Sequence, residues 1–462
     1  MKKLTAKQLY SVLWRWHFYA GIFAIPFVII LAITGAIYLF KPQIDEFSSA
    51  PYRNLPILPI LPVLPVLPAL GTPATADAQV ATALSAVPDS TLTAYQLPRE
   101  RSDAATILVQ KNNETLRVYV HPHTLQVLAV KPDVHPLLRY AHAIHGELLL
   151  GKFGSILVEL AACWAIVLVL TGVYLWWPRN AKGLAGILYP RLSFKGRLFW
   201  RDLHSVTGIW ISFFVLFLLI SGLPWALVWG NAFNQVRELT GTTATSQDWA
   251  ITGHHHPELV NKPTAVLVDA NNAVKLPLDR ILKNAEQLHF AHPVLIRPPI
   301  SVSGAAAQPW IKQSAINWTV SSTSANRTLN ADAELDPYTG ALLSKSDFSQ
   351  KHIIDRAVGI GISAHEGQLF GWLNQLIGLL TAMGLVLISI TGFVMWRKRA
   401  PNNLLGAPPK IPDAKLGIGF VLLIGIAALL LPVLGMSLIA LALLELLVLS
   451  RSMRIKTWLG LN

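Results

Sequence analysis

Four histidines, His17, His145, His204 and His365, each stand at the mouth of a long apolar run. The runs are Phe18–Phe40, Ile156–Trp177, Ile209–Trp229 and Leu373–Trp396. A helix needs about 20 apolar residues to cross a bilayer, so each run is long enough for a membrane span. The runs fall into two matched sets. From His17 and His204 both follow H-x3-G-x12-[ST]-G, with Gly21, Thr34 and Gly35 in one and Gly208, Ser221 and Gly222 in the other. From His145 and His365 both follow H-x5-G-x19-T-G-x3-W, through Gly151, Thr171, Gly172 and Trp176, and through Gly371, Thr391, Gly392 and Trp396. Five identities at identical spacing over 32 residues indicate an internal duplication in which the histidine was copied with its helix.

Composition supports a membrane fold, because 53% hydrophobic and only 14% charged residues do not describe an ordinary soluble domain. The net charge of +13 invites a nucleic-acid reading, which its distribution argues against. Lys and Arg gather at alternate span ends: Lys2, Lys3, Lys7 and Arg15; Arg179 to Arg201; Arg397 to Arg399; and Arg451, Arg454 and Lys456. That is the positive-inside bias, and it places the N-terminus in the cytoplasm. The single cysteine, Cys163, lies mid-span, and no Cys-x-x-Cys-His attachment site is present. The N-terminal apolar run exceeds a signal-peptide core and carries His17, so it is expected to stay as a span.

The pass along the chain predicts an α-helical transmembrane bundle of two tandem repeats, with four core spans, a C-terminal hairpin and two small α+β outer modules. Residues 1–40 hold a basic lead-in and span 1. Residues 41–136 form outer module 1. Residues 137–230 hold spans 2 and 3 and a short basic cytoplasmic loop, 231–355 form outer module 2, and 356–400 hold span 4. Residues 401–462 hold the hairpin, broken at Pro432 and Gly435, and a cytoplasmic tail. In module 1, residues 106–120 and 125–130 alternate like strands, with a turn at His121-Pro122-His123-Thr124. Asp336-Pro337-Tyr338-Thr339-Gly340 is the matching turn of module 2, and a helix is expected near Leu278–Leu288. Residues 55–68 carry a proline every third position, the period of polyproline II, to which no function is assigned.

Helix direction decides which histidines meet. His17 and His204 head outward-going spans and His145 and His365 head inward-going ones. Repeat symmetry then sets His17 opposite His204 near the cytoplasmic face and His145 opposite His365 near the outer face. Each pair can supply two axial imidazoles to one iron. A lone histidine at a span end is ordinarily an interfacial residue, but four in repeat-matched pairs point to haem. His142, one turn before His145, has Ile362 at the equivalent place and is the alternative ligand. Gly21 and Gly208 lie one turn beyond their histidines, where a haem slot needs close backbone approach. The Thr-Gly and Ser-Gly pairs suit tight helix packing. Arg15, Arg201, Arg139 and Arg356 are candidates for haem propionates. The run His254-His255-His256 is a weak metal candidate, and the Trp residues at span ends form an interfacial belt.

The chain resembles the PepSY-associated transmembrane family, which includes ferric siderophore reductases of bacterial inner membranes. The resemblance rests on Trp16-His17-Phe18-Tyr19-Ala20-Gly21, on Arg139 to His145 leading into Gly151-Lys152-Phe153-Gly154, on Thr171 to Arg179, on Asp202 to Gly208, and on the turn at Asp336. It covers about residues 8–400. The first-module turn departs from the family's D-P-x-T-G form at His121 and Leu125. The resemblance implies PepSY-like periplasmic modules, two haem b groups and electron flow from the cytoplasm to a ferric siderophore in the periplasm. No cytoplasmic segment carries a dinucleotide fingerprint, so the donor is expected to be a quinol or another cytoplasmic reductant. The rival reading is a membrane sensor or accessory protein whose modules bind a peptide, protease or uptake complex. A permease would need polar groups through the membrane, and residues 156–175 offer only Glu159, Cys163 and Thr171.

Overall fold

The computed structural model describes residues 5–56, 73–179, 183–242, 276–299, 316–401, 404–410 and 417–461. Most of the proline-rich segment and the whole of His254–His256 lie outside them. The chain divides into a helical unit, Met1–Leu39, Tyr140–His254 and Ala364–Asn462, and a sheet unit, Phe40–Arg139 and His255–Ser363.

In chain order the helical unit uses α1 (Ala6–Leu39), the end of α4 (Pro136–Glu147), α5 (Gly151–Trp176), α6 (Arg197–Gly222) and α7 (Leu227–Leu239). It continues with the end of α9 (Ile353–His365), α10 (Trp372–Arg399), α11 (Ile418–Leu430), α12 (Pro432–Leu447) and α13 (Met453–Leu459). Among the described residues, α1, α5, α10 and α6 with the turn that follows it are long and apolar enough to cross a membrane. These four pack as a ring in the order α1, α5, α6, α10, so α1 faces α6 across the middle. The third span ends earlier than its apolar run suggests: α6 stops at Gly222, a 3-10 turn carries Leu223–Trp225, and α7 sets off anew. Glu159, buried in α5, accepts the backbone N–H groups of Val228 and Trp229 at 2.8 and 3.0 Å. A carboxylate there satisfies orphan donors at the start of α7 and suits its dipole. The apolar tail is two short helices meeting at Leu431-Pro432. Leu431, Val433 and Leu434 pack with Cys163 and Ile166 of α5, and Trp229 Nε1 donates to the Leu430 carbonyl at 3.0 Å.

His145 and His365 do not open the long helices. They lie near or at the ends of α4 and α9, and the chain turns before α5 and α10 begin. Gly151 and Gly371, each six residues after the histidine, hold φ of +58° and +62°, a conformation that costs glycine little. The H-x5-G spacing is therefore the length of this turn.

The sheet unit holds α2 (Lys41–Ser49), α3 (Ala76–Ala86), β1 (Thr91–Leu97), β2 (Ala105–Lys111), β3 (Glu114–Val120) and β4 (Val127–Pro132) from its first segment. From its second come α8 (Leu278–Glu286), β5 (Val294–Arg297), β6 (Trp318–Ser322), β7 (Ala331–Leu335) and β8 (Leu342–Asp347). All eight strands form one sheet in the order β4-β3-β2-β1-β5-β6-β7-β8, with every neighbouring pair antiparallel. The order is a palindrome about the β1–β5 pair, where Tyr95 registers with Ile296. α3 and α8 join one core with Ile107, Val118, Ile296 and Val320. The two helices cap each other: Ala76 N donates to Asp279 Oδ1 at 3.0 Å, and Leu278 N to Asp77 Oδ2 at 3.1 Å.

The two turns singled out from sequence have the same build. Asp336 Oδ1 accepts from the N–H groups of Tyr338 and Thr339 at 2.9 and 2.7 Å. His121 Nδ1 accepts from those of His123 and Thr124 at 3.2 and 3.3 Å. Gly340 and Leu125 both close the turn at positive φ, 69° and 60°. His121 thus replaces the aspartate as acceptor, which requires a neutral ring. Burial, and then the neighbouring His123, hold its pKa below the ordinary 6.5, whereas the N–H bonds hold Asp336 below the usual carboxylate range. The neutral form is favoured on folding, so its stabilisation is complete above about pH 6.5 and is lost as the pH falls through the lowered value. The protection factors of the β3–β4 amides in the intact protein, hydrogen exchange taken relative to the intrinsic rate at each pH, should therefore fall across this window. His121→Asp should move the loss down to the carboxylate range; an unchanged profile would refute the assignment.

Candidate functional site

The four histidines have one environment, built four times. His17 Nδ1 lies 3.0 Å from Thr171 Oγ1, and His145 Nδ1 lies 3.1 Å from Thr34 Oγ1. His204 Nδ1 lies 3.0 Å from Thr391 Oγ1, and His365 Nδ1 lies 2.9 Å from Ser221 Oγ. Every partner is the hydroxyl residue of a Thr-Gly or Ser-Gly pair. The glycine of the same pair underlies the ring: a Cβ at Gly35 would stand 3.1 Å from His145 Cε1, and one at Gly172 would stand 3.2 Å from His17 Cε1. At Gly222 and Gly392 the corresponding distances to His365 and His204 are 3.5 Å. These pairs are histidine cradles, a role that helix packing alone did not suggest.

The cradle decides the tautomer. His145 Nδ1 is 3.0 Å from the Leu31 carbonyl and His204 Nδ1 is 3.0 Å from that of Ile388. A carbonyl oxygen only accepts, so Nδ1 of His145 and of His204 carries the proton. The hydroxyls extend this to the other two rings: Thr171, beside His17, donates to Val167 O at 2.7 Å and Ser221, beside His365, to Leu218 O at 3.2 Å, which leaves their oxygens as acceptors. Each Nε2 is then a bare lone pair, the state in which imidazole binds a metal. An orienting hydrogen bond on the other ring nitrogen is the usual partner of such a ligand.

The cradles are exchanged within each half of the chain. α1 gives His17 to Thr171 of α5, and the turn before α5 returns His145 to Thr34 of α1. α6 gives His204 to Thr391 of α10 and receives His365 at Ser221. Across the bundle the rings of His17 and His204 have centroids 6.5 Å apart and planes at 90°. Two imidazoles bound in line to one metal, each through a bond of about 2 Å, have centroids roughly 6 Å apart. The observed spacing is close to that value. A Cβ at Gly208 would meet nothing within 4 Å, and one at Gly21 would meet Leu168 Cδ2 at 3.9 Å. His145 and His365 lie within electrostatic reach of one another, and the Trp225 ring stands edge-on to His365 at 5.7 Å. Among the described residues no group of three or more His, Cys, Asp or Glu gathers into a metal cage.

The model of the PepSY-associated TM region matches residues 14–399. The chain belongs to the PepSY-associated transmembrane family. It is accordingly a membrane protein, in keeping with its four spanning helices. No curated protein matches it. The family match covers all four histidines and all four cradles.

The alternative ligand and three of the four arginines have other partners, whereas Arg356 Nε is buried and makes no hydrogen bond among the described residues. His142 packs against the Tyr38 ring at 5.5 Å, and His145, not His142, occupies the cradle. Arg15 donates to the carbonyls of Pro408 and Gly460 at 2.6 and 2.7 Å. Arg201 pairs with buried Asp202, which Arg191 also grips through two bonds. Arg139 pairs with Glu114 in the sheet unit.

Cradle geometry separates the glycines. Gly35→Ala and Gly172→Ala put a methyl against rings already held by hydrogen bonds, and should cost about 1–3 kcal/mol, as overpacking does. Gly222→Ala and Gly392→Ala place it at ordinary contact and should be nearly neutral. Thermal unfolding of the full chain in detergent, followed by tryptophan fluorescence, tests the contrast; equal losses in all four variants would contradict it.

Proposed function

We propose that the bundle is a di-haem b conduit that carries electrons across a bacterial inner membrane to a ferric siderophore. The observation that carries this reading is the fourfold cradle, with every Nε2 bare and the His17–His204 rings spaced for a shared iron. His17 and His204 would hold the inner haem, and His145 and His365 the outer one. Haem iron, when bound, supplies one-electron chemistry. The chain's part is to present imidazoles in a fixed tautomer, to surround them with apolar helices and to keep water from the path. Thr34 and the Leu31 carbonyl lie 14 to 17 residues beyond His17, which at 1.5 Å per residue is about 21–26 Å along α1. That separation covers most of a hydrocarbon core of about 30 Å and suits one ligand pair near each face.

On this reading the two cradle-exchanging halves are tandem repeats. The palindromic sheet is a pair of PepSY-like modules, each one helix with four strands, that face the periplasm. The basic span ends put both termini in the cytoplasm. The donor is a quinol or another cytoplasmic reductant. Reduction releases iron because hard oxygen ligands hold Fe(III) better than Fe(II).

A reduced-minus-oxidised visible spectrum with a pyridine haemochrome count tests the reading on protein purified in detergent. Two b-type haems per chain are expected, falling to one in His17→Ala and in His365→Ala. His142→Ala should retain both. Thr171→Val removes the hydroxyl that holds His17 Nδ1 and should weaken haem retention by about 10–100-fold, as loss of an orienting partner does. A protein that stays colourless when made with ample haem would sink the conduit and leave the binding role of the sheet unit as the better reading.

A further inference from the structure

The arginines suggested by sequence at the His17 end of the bundle are spent, Arg15 on two carbonyls and Arg201 on Asp202. Two others at that end are not. Arg399, in the last turn of α10, lies over the rings of Trp14 at 5.3 Å and Phe18 at 4.6 Å. Its Nε is buried and makes no hydrogen bond among the described residues. Arg197, exposed at the start of α6, is within electrostatic reach of Arg399, and neither has an acidic partner among the described residues. Like charges set together beside the apolar slab are unfavourable unless an anion joins them.

Their position on the helices suggests the anion. Arg197 precedes His204 by seven residues, two helical turns, and so lies on the same face about 10.5 Å nearer the helix start. Arg399 follows Thr391, the cradle of His204, by eight residues, about 12 Å along α10. Both cations thus flank the His17–His204 site on the side away from the bundle middle. Aromatic faces hold Arg399 by cation–π attraction and leave its fork to an external acceptor.

We propose that Arg197 and Arg399 form the carboxylate seat for the propionates of the inner haem; this rests on the di-haem reading above. The seat orients the macrocycle in its slot and sets its potential, because a nearby cation stabilises the ferrous state, which carries one positive charge fewer. A guanidinium can grip a carboxylate through two bonds, which an ammonium cannot.

The test is potentiometric titration of the detergent-purified full chain carrying both haems, compared with Arg197→Gln, Arg399→Gln and Arg399→Lys. Each Gln variant should lower the midpoint of one haem by about tenfold in its reduction equilibrium, 59 mV for one electron, and leave the other unmoved. Arg399→Lys should recover much of the shift. In a His17→Ala background, where only the outer haem remains, Arg399→Gln should have no effect. Unchanged midpoints with both haems retained would overturn the seat. So would loss of both haems alike in the Gln and Lys variants, which marks the arginines as supports of the bundle. A wild-type midpoint that follows the anionic lipid content, and matches the Gln variants when that lipid is removed, would assign the pair to a lipid phosphate instead. A wild-type protein without haem overturns this proposal and the conduit together, whereas unmoved midpoints overturn this one alone.

Discussion

The helical unit depends on one contact made four times, an imidazole Nδ1 held by the hydroxyl of a Thr-Gly or Ser-Gly pair. An imidazole in an apolar bundle leaves an unpaired N–H at a cost of about 1–3 kcal/mol, so it must find an acceptor, and helices have few to spare. The Thr-Gly and Ser-Gly pairs provide one. The carbonyls that receive Nδ1 of His145 and His204, those of Leu31 and Ile388, each lie four residues before the glycine of the pair. They are the glycine's own helical acceptors, shared with a ring that reaches them because no Cβ stands in the way. The hydroxyl residue, three positions after the carbonyl, closes the other side. Two adjacent small residues thus make a socket for an imidazole edge and aim the other edge into the bundle.

Exchange of sockets has an architectural consequence. His17 and Thr34 are both on α1, and their partners Thr171 and His145 both belong to the segment that builds α5. α1, which carries both His17 and Thr34, cannot rotate about its axis without breaking both bonds. The same holds for α6 with α10 and the chain leading into it. Each half is therefore a keyed pair, and the halves meet so that His17 faces His204. The sheet unit uses a comparable device, in which Asp77 and Asp279 each cap the other helix. In both units the tie is reciprocal, so one group's position is checked by its counterpart.

Much of this was legible in sequence because the features concerned are periodic or repeated. Apolar length announced the spans, and duplicated spacing announced the repeated histidine motif and that His17 faces His204. The turns at His121 and Asp336 were visible as a pair despite the change of acceptor. Legibility ended where a motif's meaning lies in a different helix. Thr171-Gly172 looks like a packing motif until His17, 154 residues away, is seen against it. The break before α5 was hidden because Leu148-Leu149-Leu150 is as apolar as the span it interrupts, although Gly151 at fixed distance from His145 was its trace. The propionate candidates were chosen by nearness to histidines in sequence. That criterion cannot reveal that Arg15 is met by the C-terminal segment 445 residues on.

Among the described residues no chain of side-chain hydrogen bonds joins one histidine pair to the other. In α5, Glu159 is turned to the start of α7 and Cys163 to the apolar tail. An arrangement of this kind offers little to a hydrated ion or chelate seeking a path, since desolvation would go uncompensated along most of the membrane depth.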